Sequence, residues 1–169
     1  LELKHDDQLD LIIGVYKYFI KYFAINDKHK IEIKTYLDVP GGSGLGGSST
    51  LIVSLIEGLK KIYNQVFDDY EAAEIAYKIE RKFLKIPGGK QDQYSASFGG
   101  FNNIKFYKDG KVSVEELKID DKDLIELQSN IILFYTGQSR ASEKIIDTQK
   151  KSIVNKKEIT LESLLSIKE

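Results

Sequence analysis

Apolar residues recur at helical spacing in three segments of the chain. In residues 6–23, capped by Asp6 or Asp7, the polar positions form one narrow arc, which predicts a helix buried on most of its circumference. Residues 48–65 place leucine and isoleucine along one face, typical of an amphipathic helix. Asp68 or Asp69 is predicted to cap a third helix that ends near residue 84, before a Pro-Gly-Gly break.

Other stretches alternate or are short and apolar, which predicts strands. These predicted strands cover residues 30–38, 94–98, 101–107, 111–119 and 131–135. Asp109-Gly110 is a hairpin turn signal between the third and fourth of them. A short helix is predicted at residues 121–128, and two helices with a charged connector are predicted in residues 139–169.

The composition of the chain excludes several kinds of site and partner. The chain is 41% hydrophobic and 30% charged, with a net charge of -1 and no cysteine, which excludes disulfides and thiolate metal sites. We expect no nucleic-acid partner and no membrane partner, because there is no basic excess and no apolar run near the roughly 20 residues of a membrane span. No signal peptide is recognisable, so a cytoplasmic location is expected. The chain begins at Leu1 and has no methionine, so we expect it to be an excerpt of a longer protein.

The strongest chemical signal is a glycine-rich segment before the second helix. Five of the 13 glycines lie within residues 41–47. Glycine lets backbone N–H groups approach a ligand closely, and a helix N-terminus adds unpaired N–H groups and partial positive charge. This combination predicts a phosphate-binding site.

Three other interpretations of this segment are a P-loop, a dinucleotide-binding fingerprint and a flexible linker. The segment lacks the lysine that a P-loop requires. Gly42, Gly44 and Gly47 fit the dinucleotide-binding spacing, with acidic residues about 20 positions further on, but that fingerprint places its acid at the end of a second strand, whereas Asp68 and Asp69 open a helix. A flexible linker would not end in an amphipathic helix. The dinucleotide interpretation remains an alternative.

The segment resembles the ATP-binding motif P-x-x-x-G-L-G-[SG]-S-[SA] of the GHMP kinases, the superfamily of galactokinase, homoserine kinase and mevalonate kinase. The resemblance implies that ATP is bound here, with backbone N–H groups around the phosphates. The residues concerned are Pro40, Gly42, Ser43, Gly44, Leu45, Gly46, Gly47, Ser48 and Ser49.

A second glycine cluster, residues 87–100, contains Asp92 on a loop bent by glycines. Such a carboxylate could accept a proton from a sugar hydroxyl or orient it, and Lys90 could stabilise charge on a transferring phosphoryl group. For Asp92 alone, a loop-capping role is the alternative. The sequence Gly-Gly-Lys-Gln-Asp-Gln-Tyr resembles the corresponding segment of the heptose phosphate kinases. This resemblance implies that Asp92 is catalytic. The residues expected to contact a sugar phosphate are Gly88, Gly89, Gln91 and Arg140.

Glu80 falls in the apolar arc of the third helix. A buried carboxylate is costly unless it is paired or bound to a cation. In GHMP kinases a glutamate about a dozen residues before the catalytic aspartate binds Mg²⁺ with a motif serine, which implies a metal site at Glu80 and Ser48. A salt bridge from Glu80 to a lysine is the alternative, and Ser49 could replace Ser48 as the ligand.

The resemblance implies an α+β fold. Residues 1–136 would form a GHMP-kinase-like N-terminal domain (ribosomal protein S5 domain 2-like), and residues 137–169 would begin a second α/β domain. The implied reaction is Mg²⁺-dependent phosphoryl transfer from ATP to a sugar hydroxyl, in particular the anomeric hydroxyl of a heptose 7-phosphate. Fucose or galactose as substrate, a non-catalytic nucleotide-binding fragment, and a homodimer stay open. The family's first and third motifs are absent, so the chain is expected to be the middle of a kinase.

Overall fold

The computed structural model describes residues 7–26, 29–40 and 42–134, together with residues 148, 151–153, 163 and 166. Between residues 7 and 134, the described residues form five α-helices, one π-helical segment and one two-stranded antiparallel sheet. This mixture confirms the predicted α+β class. Among the same residues, no helix combines the length and the apolar character that a membrane crossing requires. Of the two predicted tail helices only residues 148, 151–153, 163 and 166 are described, and these are helical; Arg140 falls outside the described residues.

The three long helices form where the periodicity predicted them. Asp68 caps the third helix, because its side chain accepts a hydrogen bond from the backbone N–H of Glu71 at 2.8 Å. That helix ends in a wider π-helical turn, in which the N–H of Leu84 reaches the carbonyl of Ile79, five residues back, at 2.8 Å. The elements are α1 (Asp7–Tyr22), α2 (Gly47–Ile62), α3 (Asp69–Tyr77) and the π-helical segment Lys78–Phe83.

The core lies between these helices. Their facing sides bury aliphatic and aromatic side chains, and Phe19 of α1 packs at a ring-centroid distance of 4.6 Å from Phe23. Burial of such side chains is the main stabilising term in a domain of this size. The fully buried apolar residues include Val15, Phe19, Ile52, Ile56, Ile75 and Ile79. This packing fixes α2 against α3, and so fixes the start of α2 relative to the π-helical segment.

The predicted hairpin is confirmed. Strand β1 (Asn102–Phe106) pairs with β2 (Val112–Glu116) in antiparallel register, with Ile104 opposite Val114. The turn between them closes at Gly110, whose N–H donates to the carbonyl of Tyr107 at 3.0 Å. The predicted short helix is also present as α5 (Asp121–Asn130).

One predicted strand is a helix. Residues 94–98 belong to α4 (Gln91–Phe98), which follows the Pro-Gly-Gly break. Tyr94 and Phe98 lie one helical turn apart and their rings stack with centroids 6.5 Å apart. The prediction was wrong because a short segment with two aromatic residues satisfies both spacings, and the helix wins by burying Gln93 and Tyr94 against α2 and α3.

Two further strand predictions were wrong. Residues 30–38 form no strand, and within the described part of the chain they pair with none; their exposure alternates only as far as Ile33, since Thr35 is exposed. Residues 131–134 are neither a strand nor buried, with exposed fractions of 60 to 81%. A strand needs a neighbour for its backbone hydrogen bonds, and alternation or apolar character alone does not supply one.

Candidate active site

The glycine-rich segment forms a tight path into the N-terminus of α2. Gly42, Gly44 and Gly46 all have positive φ angles, of 70°, 78° and 71°. Gly46 is the N-cap residue, and no side chain caps the helix there. The first-turn N–H groups of α2 are therefore directed at whatever lies beyond the loop, which is the arrangement that binds phosphate.

Gly46 also brings the two glycine clusters together. A Cβ built on Gly46 would lie 3.5 Å from Cγ of Asp92 and 3.8 Å from its Oδ1. Asp92 is exposed and sits in the first turn of α4. The two segments that the sequence singled out separately thus meet, with the Asp92 carboxylate beside the glycine-rich segment.

We expect Gly46→Ala to destabilise the fold by about 1–2 kcal/mol, because a left-handed φ is unfavourable for any residue with a Cβ. The new methyl group would also contact Asp92. Gly58→Ala is the matched control, since Gly58 lies inside α2 with open space around it and alanine there should stabilise the helix by up to about 1 kcal/mol. Urea denaturation of both variants checks this. Equal midpoints for Gly46→Ala and the unsubstituted protein would contradict it.

Glu80 is buried as predicted, with 1% of its surface exposed. It stands at the centre of a cluster that comprises Glu80, Arg81, Ser48, Ser49 and Gln93, hereafter the Glu80 cluster. The Ser48 hydroxyl donates to Oε1 at 3.0 Å and the Ser49 hydroxyl donates to Oε2 at 2.7 Å. Both serines that the sequence left as alternatives therefore bind the same carboxylate, one at each oxygen.

The two sides of the carboxylate differ. The Oε2 side is closed, because Ser49 is fully buried and the buried Gln93 amide donates both to Oε2 and, at 3.1 Å, to the Ser49 hydroxyl. The Oε1 side faces Ser48, which is exposed, and Arg81, whose Nη1 lies 3.1 Å away. Ser48 is therefore the exposed member of the cluster, and it lies on the Oε1 side of the buried Glu80 carboxylate.

The charge partner of Glu80 is Arg81. The predicted alternative of a lysine partner is therefore wrong. Arg81 itself is mostly buried, with 10% of its side chain exposed. A neighbouring guanidinium compensates the charge of a buried carboxylate, so the fold needs no metal ion at this position. The ion pair therefore compensates the buried charge, and Arg81 and Ser48 both contact the Oε1 oxygen.

The donor set fits Mg²⁺. Mg²⁺ prefers one or two carboxylate oxygens, hydroxyls, water and phosphate oxygens, and the Oε1 side of the cluster offers Oε1 of Glu80 with the exposed Ser48 hydroxyl 3.0 Å from it. No group of three or more histidine, cysteine or acidic side chains that could hold a metal occurs in the part of the chain that the structure describes. A protein site with few ligands suits a cation that arrives with a nucleotide.

Lys90 lies at the N-cap position of α4, and its amine is engaged away from Asp92. Its Nζ lies 3.2 Å from Oε2 of Glu74 and 4.7 Å from the ring centre of Tyr77. The Tyr94 hydroxyl lies 3.4 Å from the same Glu74 oxygen. Burial, followed by the charge of Glu74, raises the pKa of Tyr94 to about 12, so the hydroxyl stays protonated and can donate to Glu74 at neutral pH.

The other residues named from the sequence are placed as follows. Gly88 packs closely against the Arg81 guanidinium, since a Cβ on it would lie 2.3 Å from Cζ. Gly89 and Gln91 are exposed on the loop and at the first position of α4. Asp68, which the dinucleotide interpretation required at the end of a strand, caps α3 instead.

Sequence reasoning missed Gln93, Arg81 and Glu74. The available signal was the buried position of Glu80, which requires hydrogen-bond donors from neighbouring elements. Gln93 could not be placed because residues 94–98 were predicted as a strand.

The chain is similar in sequence to several known proteins. The GHMP kinases N terminal domain model matches residues 10–100. A D-glycero-alpha-D-manno-heptose 7-phosphate kinase from Campylobacter jejuni is 39% identical over 167 residues, which are 99% of this chain and 48% of that protein. A galactokinase from Pyrococcus furiosus is 32% identical and covers 61% of this chain and 28% of its own length.

A solved structure is also similar to this chain. The D-glycero-D-manno-heptose 1-phosphate kinase from Bacteroides thetaiotaomicron matches with a TM-score of 0.69 and 36% identity, over 95% of this chain and 51% of that chain. The chain thus spans about half the length of the heptose kinases it matches. The matched region contains the glycine-rich segment, the Glu80 cluster and Asp92. The chain belongs to the GHMP kinase family.

Proposed function

We propose that this chain forms the ATP-binding part of a sugar kinase, which transfers the γ-phosphoryl group of ATP to the anomeric hydroxyl of a D-glycero-D-manno-heptose 7-phosphate. The observation that carries the proposal is the meeting of three groups at the start of α2. These groups are the uncapped helix N-terminus, the Ser48–Glu80 pair and the Asp92 carboxylate. Phosphoryl transfer requires a phosphate cradle, a cation site and a group that orients the nucleophile.

In this proposal the backbone N–H groups of residues 44–49 hold the phosphates of ATP. Ser48 and Glu80 hold Mg²⁺, which neutralises charge on the phosphate oxygens when it is bound. The exposed position of Ser48 and the burial of Ser49 between Gln93 and Oε2 favour Ser48 as the ligand and give Ser49 a supporting role.

Asp92 orients the sugar hydroxyl for in-line attack and accepts its proton. The hydroxyl oxygen forms a bond to the γ-phosphorus while the bond from that phosphorus to the β–γ bridging oxygen breaks, and ADP leaves. Lys90 can stabilise the transferring group only after its amine leaves Glu74 and Tyr77. Contacts of Gly88, Gly89, Gln91 and Arg140 with the sugar phosphate belong to the same proposal.

A second sugar remains a candidate because the relatives include galactokinases. The heptose kinases named above also differ in the position of the phosphate, at carbon 7 in one name and carbon 1 in the other. The choice of sugar is therefore a question for a substrate panel.

The test is ADP release by the full-length protein with ATP and Mg²⁺. The panel contains heptose 7-phosphate, heptose 1-phosphate, fucose, galactose and mevalonate, with NAD titration as a check on the dinucleotide alternative. We expect turnover on heptose 7-phosphate, tight dependence on Mg²⁺ and no saturable NAD binding. Turnover on galactose or fucose alone would refute the heptose assignment, and ATP binding without turnover on any sugar would refute the kinase proposal.

A further inference from the structure

Arg81 lies between the Glu80 carboxylate and the loop of residues 86–89. On one side its Nη1 is 3.1 Å from Oε1 of Glu80. On the other its Nε donates to the carbonyl of Gly89 at 3.0 Å, and Nη1 donates to the carbonyl of Ile86 at 3.4 Å. One side chain therefore binds both the carboxylate and the loop that precedes α4.

The loop is shaped around this guanidinium. A Cβ on Gly88 would lie within 2.3–2.6 Å of Cζ, Nη2 and Nε of Arg81. A side chain at position 88 would therefore clash with the guanidinium unless Arg81 moved from its present position. Because carbonyls on both sides of Gly88 accept hydrogen bonds from Arg81, the conformation of residues 86–89 depends on it.

This loop leads directly into the first turn of α4, where Asp92 lies. The next residue, Gln93, donates back to Oε2 of Glu80. The contacts therefore form a closed ring that runs from Glu80 through Arg81 and the loop to α4 and returns through Gln93. Asp92 sits on that ring beside Gly46.

We propose that Arg81 is a positioning residue that fixes Asp92 relative to the Glu80 carboxylate and competes with the cation for Oε1. The proposal rests on the kinase function proposed above. It separates two properties of the side chain. The positive charge opposes cation binding at Oε1, while the planar fork of donors holds the loop, and lysine can supply the first but not the second.

Three variants separate these properties. Arg81→Gln removes both charge and fork, and Arg81→Lys keeps the charge alone. Lys82→Gln is the matched control, because it removes a positive charge from the same π-helical segment at an exposed position. Each is measured in the full-length protein for hydrogen exchange of the amides between residues 86 and 91, for the Mg²⁺ dependence of binding of a fluorescent ATP analogue, and for kcat.

In Arg81→Gln we expect exchange of the loop amides to rise about tenfold or more. Half-maximal nucleotide binding should need at least about threefold less Mg²⁺, since a positive charge near Oε1 is gone. The kcat should fall about 10- to 100-fold, because small misplacements of an orienting group are costly. A merely structural role would raise the Mg²⁺ requirement as it lowered kcat, so the opposite directions are diagnostic.

Arg81→Lys keeps a charge beside Glu80 and guards against a failure of the glutamine variant to fold. We expect fast loop exchange and reduced kcat at an unchanged Mg²⁺ requirement, with Lys82→Gln unchanged in all three measurements. Slow exchange and full kcat in Arg81→Lys, or a higher Mg²⁺ requirement in Arg81→Gln, would overturn the proposal. The exchange measurement needs no substrate, so an unsubstituted protein without turnover counts against the kinase function alone.

Discussion

Asp92→Asn is expected to lower kcat by about 10²- to 10⁴-fold, the range that a general base contributes. Asparagine keeps the shape of the side chain beside Gly46 but cannot accept the proton of the sugar hydroxyl. The affinity for ATP should stay within a few-fold, because the phosphate cradle and the Ser48–Glu80 pair are untouched. Single-turnover kinetics, together with binding of a fluorescent ATP analogue, measures the two quantities separately.

The control for Asp92→Asn is Asp123→Asn. Asp123 is an exposed carboxylate in the first turn of α5, as Asp92 is in the first turn of α4. Both substitutions remove the same favourable interaction with a helix N-terminus, so only Asp92→Asn should affect turnover. If kcat and ATP affinity fall together by the same factor in Asp92→Asn, the aspartate serves to hold the loop and its catalytic role is refuted.

The parts of the site that the sequence predicted are those encoded by local periodicity. Helix α2 and its glycine-rich approach follow from the change between a turn-rich segment and an amphipathic one. Glu80 stood out because it occupies an apolar position on a helix whose other charged residues lie elsewhere, and the structure buries it. Both inferences need only neighbours within a few turns.

The parts that the sequence did not predict depend on contacts between distant residues. Gln93 bonds to Glu80 from 13 residues away and to Ser49 from 44 residues away, and no periodicity encodes such a meeting. The mistaken strand at residues 94–98 also removed the helical geometry that places Asp92 and Gln93 on neighbouring sides of one turn. Because this segment was predicted as a strand, Gln93 was not recognised as a hydrogen-bond partner of Glu80.

The π-helical turn is a further feature beyond the reach of the pattern. Its wider ring begins at Lys78, near the end of a helix, where too few turns follow for a shifted period to be recognised. The segment at residues 30–38 illustrates a different limit. Alternation placed Ile31, Ile33, Thr35 and Leu37 on one face, of which Thr35 is exposed, and pairing depends on a neighbouring strand.

Glu80→Gln is expected to weaken binding of ATP at least about tenfold in Mg²⁺, and to leave binding in EDTA unchanged. Glutamine nearly preserves the volume of the buried side chain but removes the charge that a cation at Oε1 requires. Glu57→Gln is the matched control, because Glu57 is a paired carboxylate on α2 that contacts Lys60 and has no part in the Glu80 cluster. Titration of a fluorescent ATP analogue with and without Mg²⁺ gives both affinities.

The same titration decides between the two serines. Ser48→Ala should reduce the Mg²⁺-dependent part of ATP binding, since its hydroxyl is exposed and donates to Oε1. Ser49→Ala should chiefly lower stability, because its buried hydroxyl connects Oε2 to Gln93. An equal loss of ATP affinity in Mg²⁺ and in EDTA for Glu80→Gln would mean that the carboxylate only pairs with Arg81. The cluster would then be a structural ion pair, and the cation would have to be held by the nucleotide and water alone.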